Sequence, residues 1–349
     1  MSMREVGVAL GLDEKTVSRW IHGGRTPSPD NLARLSELLS FPVEFFSGPD
    51  LEIVDDTRPS FRSRRTSRRL LHAASQSASI AFEIERVLTE ELRFKLPPRA
   101  IPDLPENYKH DPESAAAWVR GQWGLRDRSI RSVVGLLESS GVRVFSLPAD
   151  IVEGKVSAFC VENEHGTPFI LLNTRDAYSG ERTRFDAAHE LGHIVMHRQS
   201  REILGNEEEE ADTFAAAFLM PRESVLRVAD RVEPNIETLQ ILKLHWGVSV
   251  AALARRLLDL KVFNEKQYRR LCIDLARRGR KTEPNPIRGE VSKLLPKLLA
   301  ELRPEGGLSM LSALTCLYEQ ELNEYLFGLA MTIVDPIPAQ PRLSVLNRG

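Results

Sequence analysis

The chain has 349 residues, which at roughly 100–200 residues per domain indicates two or three domains. Its formal net charge of -2 gives the whole molecule no bias towards polyanions, so any nucleic-acid contact must come from a local patch. Cys160, Cys272 and Cys316 lie far apart without CxxC spacing, which disfavours a disulfide framework and a cysteine zinc site. We interpret them as buried or idle thiols of a reducing cytosol. There is no signal-peptide pattern and no apolar run near 20 residues, so a cytoplasmic protein without a membrane partner is expected.

The first 48 residues read as short helices. One is predicted over residues 3–10, and Asp13 can cap a second that runs to about residue 22. A Thr-Pro-Ser-Pro loop follows, and leucines at helical spacing predict a third helix over 30–39.

Residues 49–74 lose this pattern and read as a basic linker, in which six arginines crowd among prolines and serines: Arg58, Arg62, Arg64, Arg65, Arg68 and Arg69. These arginines would either contact phosphates or form a plain solvated linker. Helices are predicted over 70–94, 113–123 and 129–140.

The periodicity then changes from helical to alternating. Three short β-rich runs at 142–145, 156–161 and 169–172 predict a small sheet that leads into a helix over 184–197. After Pro221 the pattern is helical again, over 236–246, 249–260 and 265–278, with two more helices after Pro286. The predicted fold class is therefore α+β and mostly helical, with a three-stranded sheet in the middle.

The helix over 184–197 carries a metal-site motif. His189 and His193 lie four residues apart, so both imidazoles share one helix face and can bind one ion. Glu190 is rotated about 100° around the axis, where it can reach a water on the metal without being a ligand. This is the HExxH arrangement of two zinc ligands and a general base. Gly192 is the one poor helix former, which suggests that another element packs against it closely.

Zinc needs a third protein ligand and an open position for water. The best source is the run of four glutamates, residues 207–210, at the start of a second amphipathic helix. Spacing alone leaves the choice among the four open. Asp212 shares a face with Glu208, which favours Glu208 as the ligand and Asp212 as the partner of a ligating histidine. The alternative is that the run is a solvated helix N-terminus.

His197 continues the i, i+4 series, either as a further ligand or as a supporting or surface residue. Tyr178 and His197 are the candidates for stabilising the oxyanion. The strand over 168–173 is predicted to be a sheet edge to which an extended substrate could add.

The segment 185–197, containing HELGH, and the segment 208–221, with Phe-Ala-Ala and Leu-Met-Pro, together resemble the ImmA/IrrE metallopeptidases over about residues 75–225. The resemblance implies a gluzincin-like fold in which His189, His193 and Glu208 hold Zn²⁺ and Glu190 is the base. Asp212 departs from the family, which more often has asparagine there. Family members cleave repressors of the helix-turn-helix class and so switch on stress or mobile-element genes.

Residues 6–28 resemble the two central helices of an Xre-type helix-turn-helix within a domain over 1–48, whose usual first helix is missing or reduced to the initial residues. The resemblance implies a recognition helix in the major groove, with base or phosphate contacts from a small polar set: Lys15, Thr16, Ser18, Arg19 and Arg25. The alternative is a helical docking module for a repressor or a second subunit. Residues 226–349 are interpreted as a helical scaffold, homodimerisation or ligand-sensing region.

These patterns predict a zinc endopeptidase that acts on a protein substrate, a repressor by family resemblance. The main rival is a DNA-binding regulator whose metal site is structural or sensory.

Overall fold

A computed structural model describes residues 1–54, 68–148, 151, 156–174, 179–197, 205–278 and 283–329. The chain divides into two compact units, one built on residues 1–51 and 298–323 and the other on residues 52–297 and 324–327. Most of the predicted basic linker, including Arg58 to Arg65, falls outside the described residues.

The N-terminal unit begins with three helices, α1 (Met3–Leu10), α2 (Glu14–Ile21) and α3 (Pro29–Leu39), and a 3₁₀ turn at Val43–Ser47. Each helix is capped by the residue before it, whose side chain accepts a hydrogen bond from a backbone N–H of the first turn. The capping residues are Ser2, Asp13 and Ser28. Val6, Leu10 and Val17 form a small buried core. The predicted helices are observed, with α3 starting one residue earlier because a proline suits the first helical position.

The second unit contains most of the described helices and all the described strands. Its first part comprises α4 (Arg68–Arg86, followed by a π turn at Val87–Glu91), α5 (Pro112–Gln122), α6 (Val133–Ser139), β1 (Arg143–Ser146), β2 (Ala158–Glu162) and β3 (Pro168–Leu172). The next part comprises α7 (Gly180–Gly192, followed by a π turn at His193–His197), α8 (Glu207–Leu219), α9 (Arg222–Leu226), α10 (Ile236–Trp246), α11 (Val250–Asp259) and α12 (Glu265–Arg278). Short 3₁₀ turns lie at Glu106–Tyr108 and Ala229–Arg231.

Three further helices follow in the described chain: α13 (Leu295–Leu302, continued by a 3₁₀ turn at Arg303–Glu305), α14 (Gly307–Thr315) and α15 (Glu319–Tyr325). The sequence predicted two. Cys316 adopts a left-handed conformation with φ 52° and separates α14 from α15. Because a non-glycine residue adopts this conformation uncommonly, the sequence carried little signal for the break.

The three strands form one sheet in the order β1-β3-β2. β3 pairs in parallel with β1 and antiparallel with β2. The prediction that residues 168–173 form a sheet edge is therefore wrong, because β3 is the central strand. All five residues of β3 are buried, as expected of a strand covered on both faces. The edges of the described sheet are β1 and β2.

Helices cover both faces of this sheet. On one face, the Phe169 ring lies 4.5 Å from the Phe82 ring of α4. On the other, Ile170 and Leu172 join the main core together with Leu191 of α7. That core also includes Trp246 of α10, so apolar packing does not stop at the predicted domain limit of residue 225.

Candidate metal centre

Helix α7 brings the two motif histidines together. Ser179 precedes the helix as its N-cap, and its side chain accepts a hydrogen bond from the Arg182 backbone N–H. The Nε2 atoms of His189 and His193 lie 3.1 Å apart, so both rings direct the same nitrogen to one point. The spacing predicted this convergence.

Helix α8 supplies the third donor through a close contact with α7. A Cβ added at Gly192 would lie 3.1 Å from the Phe214 ring and 3.2 Å from Ala211 Cα. The missing side chain therefore lets α7 and α8 approach closely, as predicted from the presence of glycine at this helical position. This approach places the Glu208 carboxylate 3.7 Å from His189 Nε2 and 3.6 Å from His193 Nε2.

The three donors fit a zinc ion. His189, His193 and Glu208 form the one group of potential metal ligands found among the described residues, and their ligand atoms lie within 4.8 Å of one another. Ligands about 2.0–2.2 Å from a tetrahedral zinc ion are separated by roughly 3.3–3.6 Å, close to the spacings of this triangle. With three protein ligands, a fourth position stays open for water or substrate.

Glu190, the predicted general base, lies next to His189 on α7. It is buried, and its Oε2 atom has no hydrogen-bond partner. Burial raises the pKa of Glu190 to about 7, against the opposing effects of the His189 charge and a hydrogen bond from Cys160. A carboxylate with this pKa can both accept and return a proton near neutral pH.

Each candidate ligand histidine is held through its second ring nitrogen. His189 Nδ1 lies 2.8 Å from the Asp212 carboxylate, as the sequence predicted for Asp212. Burial lowers the pKa of His189, but the carboxylates of Asp212, Glu190 and Glu208 outweigh burial and raise that pKa to about 9. His193 Nδ1 instead lies 2.9 Å from His197 Nδ1. Burial, together with the charges of His189 and His197, keeps the pKa of His193 well below its ordinary value.

Sequence reasoning missed two contacts at this site. His197 Nε2 lies 2.9 Å from the Glu210 carboxylate, so the partner of His193 itself contacts an acidic side chain. Cys160, which the sequence predicted to be buried or idle, is buried on the edge strand β2, and its thiol forms a hydrogen bond with Glu190. Neither contact could be read from residue spacing, because nothing in the sequence singles out Glu210 among the four glutamates or places β2 beside Glu190.

The oxyanion candidates receive no support. Both ring nitrogens of His197 are engaged, with His193 and Glu210, and none is left for a substrate oxygen. Tyr178 lies outside the described residues.

Buried charges hold the first turns of α7. Lys243 and Glu181 form an ion pair with both side chains fully buried, and Glu283 lies 3.1 Å from the same Lys243 ammonium. One helical turn later, Arg184 pairs with the buried Glu290 carboxylate. The N-terminal half of α7 is therefore fixed by later parts of the chain.

The candidate DNA contacts lie on or beside α2. Lys15, Arg19 and Arg25 are exposed, whereas Thr16 and Ser18 are half-buried. The Thr16 backbone N–H donates to Asp13, and the Ser18 hydroxyl lies 3.4 Å from His22 Nδ1. Arg19 and Lys15 are thus available to a ligand from this helix, and their role in binding DNA stays a prediction.

Two segments of the chain match models of known families. Residues 137–258 match the model of the IrrE N-terminal-like domain, Peptidase_M78, and residues 1–46 match a helix-turn-helix model. No curated protein matches the chain. Among the described residues, no helix has the length and apolar character needed to cross a membrane. The chain therefore carries an N-terminal helix-turn-helix followed, later in the sequence, by an IrrE N-terminal-like domain of the Peptidase_M78 family.

Proposed function

We propose that the protein is a zinc-dependent endopeptidase. The observation that carries this proposal is a buried carboxylate, Glu190, with an unpartnered oxygen beside three converging metal donors. A structural zinc site is normally closed by a fourth protein ligand, whereas a catalytic site keeps one position open. The three-donor group among the described residues favours the catalytic kind.

The residues divide the chemistry among them. His189, His193 and Glu208 would hold the ion, which when bound would supply Lewis-acid activation of the attacking water and of the scissile carbonyl. Glu190 accepts the proton of the attacking water and later donates it to the leaving amine. Its burial excludes bulk water, and its pKa of about 7 suits both transfers.

The substrate would bind along β2 rather than β3. β2 is an edge of the described sheet, and its Cys160 contacts the proposed base. An extended segment adding to this edge would pass close to Glu190. By resemblance to the ImmA/IrrE metallopeptidases, this segment belongs to a helix-turn-helix repressor whose cleavage turns on stress or mobile-element genes in the cytoplasm.

Metal analysis combined with cleavage of candidate repressors tests the proposal. We expect one zinc ion per chain in the wild type and in Glu190→Gln, while Glu190→Gln loses at least about 10²–10⁴-fold in cleavage rate. Glu209→Gln, an exposed neighbour of the proposed ligand, is the matched control and should cleave normally. Unchanged cleavage by Glu190→Gln would contradict the role of Glu190.

A second candidate function is DNA-binding regulation with a structural or sensory metal. The match of residues 1–46 to a helix-turn-helix favours it, as do exposed cationic side chains on α2. This reading predicts salt-sensitive DNA binding that Arg19→Ala weakens, without cleavage of any repressor. Both functions can coexist in one chain, and the cleavage assay decides whether the peptidase part is active.

A further inference from the structure

The contacts of His197 and Glu210 form a continuous chain that ends on a proposed metal ligand. His193 Nδ1 lies 2.9 Å from His197 Nδ1, and His197 Nε2 lies 2.9 Å from Glu210 Oε2. The other Glu210 oxygen accepts from Asn206 Nδ2 at 2.8 Å. Every polar atom along this path therefore has a partner.

The chain of hydrogen bonds is consistent with one arrangement of protons. A neutral imidazole carries one N–H, so His193 can direct a bare Nε2 to a metal only when Nδ1 carries its proton. That proton is donated to His197 Nδ1, which must then be an acceptor. The His197 proton consequently lies on Nε2 and is donated to the Glu210 carboxylate.

The local backbone makes this alignment possible. His193–His197 forms a π turn, the wider helical turn that is common at functional sites. The two rings are 5.1 Å apart between centroids and tilted by 54°, with Nδ1 facing Nδ1. Glu210 comes from α8, the helix that also carries the proposed ligand Glu208.

We propose that His197 and Glu210 are positioning residues, which form a relay that fixes the metal-binding tautomer and orientation of His193. The relay rests on the proposed metal site and deepens it. The relay should affect zinc affinity more than a solvent-exposed contact does, because the side chains of His193, His197 and Glu210 are only 5%, 8% and 15% exposed. Asp212, which supports His189, is 63% exposed by comparison.

Zinc affinity, measured by competition with a chromophoric chelator, tests the relay apart from cleavage. His197→Phe should lose about 10–100-fold in affinity, the usual effect of removing a partner of a ligating histidine. His197→Gln should stay within a few-fold of wild type, because its amide can accept from His193 and donate to Glu210. Glu210→Gln, which keeps the shape and removes the charge, should lose about tenfold.

The matched control is Glu209→Gln, on the same helix and exposed, which should bind zinc like wild type. Melting of each metal-free variant separates a purely structural contact from the relay. A structural contact would lower the melting temperature without changing the zinc affinity of the folded protein. Affinities of His197→Phe and Glu210→Gln within twofold of wild type would overturn the relay and leave the metal site intact. Absence of zinc binding by the wild type would instead overturn the proposed function.

Discussion

The close approach of α7 and α8 at Gly192 gives the sharpest test of the site geometry. In an isolated helix, Gly192→Ala would stabilise by about 1 kcal/mol, because glycine loses more backbone freedom on folding. In this protein the new Cβ would lie 3.1 Å from the Phe214 ring and 3.2 Å from Ala211 Cα. Ala211 contributes backbone to this contact, so the helices themselves must separate by a few tenths of an ångström.

The steric cost of a Cβ at Gly192 exceeds the gain in helix propensity. Overpacking a well-packed contact costs about 1–3 kcal/mol, which exceeds the propensity gain and leaves a net loss of about 1 kcal/mol. Separation of the helices relieves part of this strain in the metal-free protein, but also moves Glu208 away from the histidines. Metal binding must restore the approach, so 1–2 kcal/mol of strain should appear as a roughly 5–30-fold loss of zinc affinity.

Chemical denaturation and zinc competition on the same samples check this expectation. The control is Gly121→Ala in α5, where an added Cβ meets nothing within 4 Å and only the propensity gain should remain. We expect Gly121→Ala to stabilise by about 0.5–1 kcal/mol with unchanged zinc affinity. If Gly192→Ala gained stability like its control and bound zinc normally, the close helix contact would not be what places Glu208.

Two further predictions concern groups around α7. Lys243→Met should destabilise the protein by about 3–5 kcal/mol in urea denaturation, since it leaves the buried Glu181 charge without its partner. Adding Glu181→Gln should recover part of that loss, and a loss below about 1 kcal/mol would refute the pairing. Cys160→Ala should shift the acidic limb of kcat/KM to higher pH, because removing the thiol hydrogen bond raises the pKa of Glu190. Cys160→Ser retains a donor and should shift the limb less, whereas identical profiles for all three proteins would exclude the contact.

The sequence predicted the parts of the site that follow from helical period. His189 and His193 share a face at i, i+4, and Glu208 and Asp212 share another for the same reason. Gly192 indicated that another element packs closely against the helix, because glycine destabilises a helix and a close contact explains its presence there. In each of these cases the signal lies within one helix, so residue spacing or helix propensity was sufficient to detect it.

The sequence could not predict the strand order, or that side chains of β2 and α8 would contact Glu190 and His197. Strand order depends on which backbones pair, and three short apolar runs leave that order open, so β3 was placed at an edge instead of the centre. Glu210 was one of four adjacent glutamates, and only the packing of α8 against the π turn directs it to His197. The contact of Cys160 with Glu190 likewise depends on the placement of β2 beside α7.

The buried charges of α7 tie the proposed active site to chain far beyond the HExxH motif. Glu181 and Arg184 lie in its first turns, and their partners Lys243 and Glu290 come from later elements. An unpaired buried charge is strongly destabilising, so α7 keeps its place only while these later residues are folded against it. The predicted domain limit at residue 225 separates the motif from the charges that hold its helix. We therefore expect a fragment that ends at residue 225 to lack the charged partners that hold α7 in place.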